Sequence, residues 1–175
     1  DFAKNYEMLP EEIEGKGPRT AHYKEAIEKM RWERPNRKWL APDDYELVLR
    51  LAESALSHPI LRECIAKPHK VEGTAKFNVW RCQCKCRPDM TVFRGGRKVD
   101  VLDLKSCQDA SPNGFAKAAA NWGYDVQAEF YRKGLEANGL TVGKFIFLAV
   151  EKTPPYLCGA HVLHSDDMTT ARSII

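Results

Sequence analysis

Apolar residues recur at intervals of three and four in some stretches of the chain and at alternate positions in others. Leu47, Leu51, Ala55 and Leu56 repeat with helical spacing. They follow L-A-P-D-D-Y-E, where Asp43 can cap the helix N-terminus and Glu46, three residues on, can complete a capping box. His58-Pro59 marks a break or kink, after which Ile60, Leu61, Cys64 and Ile65 carry the pattern to a stop at Pro68. A short helix is predicted around Thr20–Arg31, and a long one from about Phe115 to Ala137, ended by Asn138-Gly139. β-formers dominate Val71–Trp80, Arg81–Phe93 and Lys98–Ser106, with Arg94-Gly95-Gly96-Arg97 as a turn before the last of these. Asp109–Gly114 reads as a loop, Lys144–Val150 as an apolar strand, Pro154-Pro155 as a turn and Tyr156–Leu163 as the final strand. The order helix, three strands, helix, two strands predicts an α/β or α+β fold with helices packed on a sheet. Residues 1–40 read as irregular apart from the short helix.

Composition narrows this picture. The 175 residues suffice for one domain with a substantial core, so residues 1–175 are expected to form a single domain. Their 43% hydrophobic and 29% charged content is ordinary for a soluble globular protein. No apolar run approaches the roughly 18 residues of a membrane span, and no signal-peptide pattern precedes the fold. A cytoplasmic location is expected. The first residue is Asp1 rather than methionine, which points to a fragment or part of a longer protein.

The net charge of +3 argues against a global basic field, but charge is locally uneven. Lys16 to Lys38 holds eight Lys/Arg against three Glu, and Arg81 to Lys105 seven Lys/Arg against three Asp. Such patches can neutralise phosphates or simply face solvent. Of the six cysteines, Cys82, Cys84 and Cys86 alternate in C-Q-C-K-C and would line one side of a strand. Structural zinc usually draws ligands from two C-x-x-C knuckles. One irregular cluster beside the isolated Cys64, Cys107 and Cys158 fits reduced, partly buried thiols better.

The chemistry concentrates between Arg87 and Lys105. Alternation puts Val101, Asp103 and Lys105 on one face of the strand and Asp100, Leu102 and Leu104 on the other. Whether Asp89 joins Asp103 depends on the turn. A two-residue Gly95-Gly96 loop sets Asp89 opposite Leu102, whereas a three-residue loop or a bulge sets it opposite Asp103. In the second case two carboxylates and the Leu104 carbonyl can bind Mg²⁺ or Mn²⁺. Lys105 can then orient or help deprotonate an attacking water, or stabilise charge on a phosphodiester under attack. Taken alone, D-x-K is more often a surface pair on a hairpin. Tyr124, Gln127 and Tyr131 share one helix face and can contact metal-bound water, phosphate or bases, or merely pack on the sheet. Glu72 is a third acidic ligand or an exposed strand-end charge. His58 reads as structural, and His22, His69, His161 and His164 show no partner spacing.

R-P-D (87–89), D-L-K (103–105) and Y-x-x-Q-x-x-x-Y (124–131) together resemble the PD-(D/E)XK nuclease superfamily, and Q-x-x-x-Y its RecB-like branch. S-H-P (57–59), C-K-C-R-P-D (84–89), D-L-K-S-C-Q-D-A (103–110), Q-A-E-F-Y (127–131) and V-E-K-T-P-P-Y (150–156) resemble the RecE-type (exonuclease VIII) domain of phages and prophages. The resemblance covers most of the chain from about residue 40. It implies a restriction-endonuclease-like core with a central mixed β-sheet flanked by helices. It further implies Mg²⁺-dependent 5′→3′ digestion of linear double-stranded DNA from its ends, leaving a 3′ single strand for a single-strand annealing partner. A ring-shaped homo-oligomer acting in recombination is also implied. Asp89 and Asp103 match the metal ligands, Lys105 the catalytic lysine, Gln127 and Tyr131 the helix motif, and Glu72 an acidic position. The third motif position is Asp rather than Glu. Relatives carry an active-site histidine upstream that has no assigned equivalent here, and the four-cysteine iron–sulfur pattern of some RecB-like nucleases is missing. The alternatives are an endonuclease of restriction or repair type and, in another class, a non-catalytic zinc- or DNA-binding module built on Cys82, Cys84 and Cys86.

Overall fold

The computed structural model describes residues 5–163. The chain forms two compact units, Asp1–Ala52 and Glu53–Ile175. In the first, strands β1 (Tyr6–Met8) and β2 (Lys38–Leu40) pair in parallel around helix α1 (Ala21–Glu33) in the sequence. Thr20 caps α1 by accepting a hydrogen bond from the Tyr23 amide at 3.3 Å. The region expected to be irregular therefore carries two strands, each too short for alternation to reveal. Glu7 pairs with Arg34 at 2.6 Å and Arg37 at 3.3 Å, which neutralises part of the N-terminal basic stretch.

Helix α2 (Pro42–Ser57) begins two residues earlier than the Asp43 cap predicts. Asp43 and Asp44 lie in its first turn, where carboxylates favour the positive end of the helix dipole. The His58-Pro59 break is real. His58 Nδ1 accepts from the Ile60 amide at 3.3 Å and so caps α3 (Pro59–Ile65), with Pro59 in the first turn, where its missing N–H costs nothing.

The second unit is built on a five-stranded mixed sheet in the order β3-β6-β7-β8-β9. Its members are β3 (His69–Val71), β6 (Met90–Phe93), β7 (Lys98–Cys107), β8 (Thr141–Glu151) and β9 (Cys158–Val162). Only β7 and β8 run parallel; the other neighbours are antiparallel. A separate hairpin pairs β4 (Ala75–Val79) with β5 (Cys82–Cys86). The sequence pattern merges β3 with β4 and β5 with β6. The breaks fall at Glu72, held at φ 53° before Gly73, and at Pro88, which has no amide to give a ladder.

The predicted long helix is two helices, α4 (Pro112–Trp122) and α5 (Tyr124–Ala137), divided by Gly123 at φ 63°. An isolated glycine is tolerated inside a helical pattern, so periodicity alone runs through it. Ser111 caps α4 by accepting from the Gly114 amide at 3.2 Å. α5 packs on β8 and on the inner face of the β4–β5 hairpin, and α4 packs on α5 and β9. The core joins Phe77, Cys86, Val101, Phe115, Leu135, Phe145 and Phe147. It lies on the sheet face that also carries the odd-numbered side chains of β7.

Candidate active site

Phe93 pairs with Val99, so Arg94 faces Lys98 across a three-residue loop, Gly95-Gly96-Arg97. The Arg94 amide donates to the Lys98 carbonyl at 2.9 Å, and the Lys98 amide to the Gly95 carbonyl at 3.1 Å. Gly95 and Gly96 sit at φ 105° and 55°, which side-chain-bearing residues rarely adopt. Arg94 closes the turn through Asp100 at 2.6 Å and Glu63 at 3.1 Å. Odd loop length decides the register: Met90 faces Leu102, and one residue further Asp89 comes opposite Asp103.

Asp89 Oδ2 accepts from the Leu104 amide at 2.7 Å. Asp103 is 2% exposed. Its buried Oδ2 meets Lys105 Nζ as an ion pair without good hydrogen-bond alignment. Burial pushes the Asp103 carboxyl up; Lys105 opposes this, and the nearby Asp89 carboxylate reinforces it. Lys105 Nζ also lies 4.9 Å from the Tyr124 ring centroid and 5.6 Å from that of Phe147, a cation held between a carboxylate and two aromatic faces.

The other expected residues have contacts of their own. Register brings Glu72 level with Asp89, and the Glu72 amide donates to the Asp89 carbonyl at 3.0 Å. Its carboxylate, however, pairs with Arg87 at 2.7 Å. Tyr131 packs against Phe145 with ring centroids 6.3 Å apart, and Gln127 lies between Tyr124 and Tyr131 along α5. The Gln127 backbone amide donates to the Gly123 carbonyl at 3.0 Å, whereas among the described residues its side-chain amide makes no hydrogen bond. The six cysteines are free; Cys84 and Cys86 pack in or against the core. Burial, and then neighbouring Cys107, push the Cys158 thiol up to about 11. His161 stacks on Phe115 at 4.2 Å, and burial lowers its basicity. His164 lies outside the described residues.

Among the described residues no group of three or more His, Cys, Asp or Glu side chains gathers to hold a metal. Two adjacent carboxylates are nevertheless a fitting donor set for Mg²⁺, which binds through one or two carboxylates and completes its shell with water and substrate phosphate. The poorly satisfied, buried Asp103 Oδ2 and the mutual repulsion of Asp89 and Asp103 are features that a cation would relieve.

Beside Tyr124, at the C-terminal end of β7, opens a cavity of about 650 Å³. Lys117, Asn121 and Trp122 of α4 line it, with Ser106, Gln108 and Lys152. Lys117, Asn121 and Trp122 were not singled out in the sequence, because α4 brings them to the cavity from a segment that carries no motif.

A family model described as a PDDEXK-like domain of unknown function (DUF3799) matches residues 11–173. No curated protein matches the chain. Among solved structures, one from Eubacterium rectale, described as a "putative exonuclease", superposes with a TM-score of 0.62 at 12% identity. The match covers 87% of this chain and 57% of that one, so the chain spans little more than half the neighbour's length. A second structure, SSO0001, aligns at 19% identity over 87% of this chain and 64% of that one. Its TM-score is 0.39.

Proposed function

This chain belongs to the PDDEXK-like family, and on that premise we propose that it is a metal-dependent deoxyribonuclease that hydrolyses phosphodiester bonds at Asp89, Asp103 and Lys105. The observation that carries this reading is the three-residue loop that sets Asp89 opposite Asp103, with Lys105 beside Asp103. Asp89, Asp103 and the Leu104 carbonyl would hold Mg²⁺ or Mn²⁺. The bound cation supplies Lewis-acid polarisation of a phosphodiester oxygen.

The chain's own side chains do the remainder. The Leu104 amide fixes one oxygen of Asp89, and among the described residues the other accepts no hydrogen bond and is available to a cation. Lys105 is held by Asp103 and the Tyr124 ring, so its ammonium is oriented before substrate arrives. There it stabilises negative charge growing on the phosphoryl oxygens, at little reorganisation cost. Gln127, one helical turn from Tyr124, has an uncommitted amide for the attacking water or a phosphate oxygen. Glu72 would join only by releasing Arg87.

The sequence resemblance extends the proposal to 5′→3′ digestion of linear duplex DNA from its ends. It also suggests a ring-shaped homo-oligomer that hands a 3′ strand to an annealing protein. Incubation with Mg²⁺ and either linear or covalently closed circular duplex tests the first part. The exonuclease reading predicts degradation of linear DNA only; cutting of the closed circle would make the protein an endonuclease.

A further inference from the structure

The β4–β5 hairpin has an outer face for which the fold has no use. Its inner face, with Ala75, Phe77 and Cys86, is buried in the core. On the other face register sets Lys76 opposite Lys85 and Asn78 opposite Gln83, all four exposed. Like charges directly opposite each other destabilise a strand pair. Here nothing offsets them, since Ala75–Cys86 contains no Asp or Glu. Among the described residues neither lysine makes an ion pair, and nor does Arg81 at the tip.

The tip adds an independent anomaly. Trp80 and Arg81 form a two-residue turn between Val79 and Cys82, and Trp80 sits at φ 55° while Arg81 does not have positive φ. That is the φ pattern of a type II′ turn, whose first central position ordinarily holds glycine. A tryptophan occupies it with 92% of its surface exposed. The position is thus strained for its residue, and the largest apolar side chain is presented to water.

We infer that this hairpin is a nucleic-acid-binding ribbon: Lys76, Lys85 and Arg81 engage backbone phosphates, and Trp80 stacks on a base at the tip. Opposed lysines become favourable when a phosphate lies between or beside them. An exposed indole recovers its cost by stacking, which any base can accept. Asn78 and Gln83 supply donors and acceptors between the two. The inference rests on the nuclease reading only in naming DNA as the natural ligand. Asp89 is eight positions along the chain from Arg81, so the tip lies within about 28 Å of it. That is less than the ~34 Å helical repeat of duplex DNA, so one duplex can meet both.

The test is binding of a fluorescein-labelled duplex with a single-stranded overhang, measured in EDTA so that no cleavage occurs. Trp80→Gly places the preferred residue in the turn, so its melting temperature should equal or exceed the parent's while DNA affinity falls about tenfold. The double variant Lys76→Gln/Lys85→Gln should also fold at least as well, and should lower the slope of log affinity against log salt by about 2. The inference is overturned if the parent does not bind the duplex. It is overturned equally if both variants bind with parental affinity and salt slope, as a surface made for a protein partner would. Affinity lost only in step with melting temperature would overturn it too. If the hairpin variants behave as expected and no cleavage is seen with Mg²⁺, the nuclease reading fails and the ribbon stands. If cleavage is seen and the variants bind like the parent, the ribbon alone fails.

Discussion

Asp103 is where fold and proposed chemistry oppose each other. Its carboxyl is buried, and burial outweighs the Lys105 contact in setting its proton affinity. A carboxyl pushed up on folding binds its proton more readily in the native state than in the unfolded chain. Its contribution to stability is therefore fullest at low pH and is lost as pH rises through the carboxylate range. Asparagine has nearly the shape of the protonated acid and no charge. Asp103→Asn should therefore melt at a higher temperature than the parent at pH 7, and the gain should vanish on acidification below the ordinary carboxylate range. Thermal unfolding of both proteins across pH checks this. A variant less stable at pH 7 would mean that Asp103 serves the fold through its pair with Lys105 rather than being retained at a cost to it. Lys105 itself keeps the Tyr124 and Phe147 rings in either case. The legible part of the site was chemical: D-x-K alternation fixes which face Asp103 and Lys105 share, and the glycine turn limits Asp89 to two registers. The Arg87 pairing that diverts Glu72 was not legible, because it joins two exposed side chains on different segments whose approach no spacing rule fixes.

At the scale of elements, α5 is held to the hairpin by the absence of a side chain. A Cβ at Gly134 would lie 2.5 Å from Cys86 Sγ and 2.8 Å from Phe77 Cε1. Alanine is worth about 1 kcal/mol over glycine in an exposed helix, whereas overpacking a tight core costs about 1–3 kcal/mol. The steric cost should dominate because Phe77 also packs against Phe130, with ring centroids 5.0 Å apart, and cannot simply withdraw. Gly134→Ala is predicted to lower the melting temperature by several degrees, read by calorimetry or circular dichroism; a rise would show that the hairpin can yield. The α5 region was located by its one apolar face, and β7 and β8 by long runs of β-formers whose central residues are buried on both faces of the sheet. Periodicity ran through Gly123 and Glu72 because a break set by one backbone angle leaves hydrophobic spacing on both sides intact.

For the molecule as a whole, the mixed sheet was legible as a class but not as an order. The sequence order of strands says nothing of β8 lying between β7 and β9, since that pairing bridges the whole α4–α5 segment. The parallel β7–β8 step explains why that segment is needed: parallel neighbours require a long crossover, and α4 and α5 provide it. The same crossover brings Tyr124 over Lys105. No helix among the described residues is long and apolar enough to cross a membrane. Family membership and the neighbouring Asp89 and Asp103 carboxylates both point to phosphodiester hydrolysis. The most direct test is the rate at which linear duplex DNA is degraded with Mg²⁺ by the parent and by Asp89→Ala, Asp103→Ala and Lys105→Ala, each confirmed folded. The expected result is a parent activity abolished by EDTA, a fall of about 10²–10⁴ for Lys105→Ala, and a loss at least as large for either aspartate variant. Full activity in Asp103→Ala would contradict it.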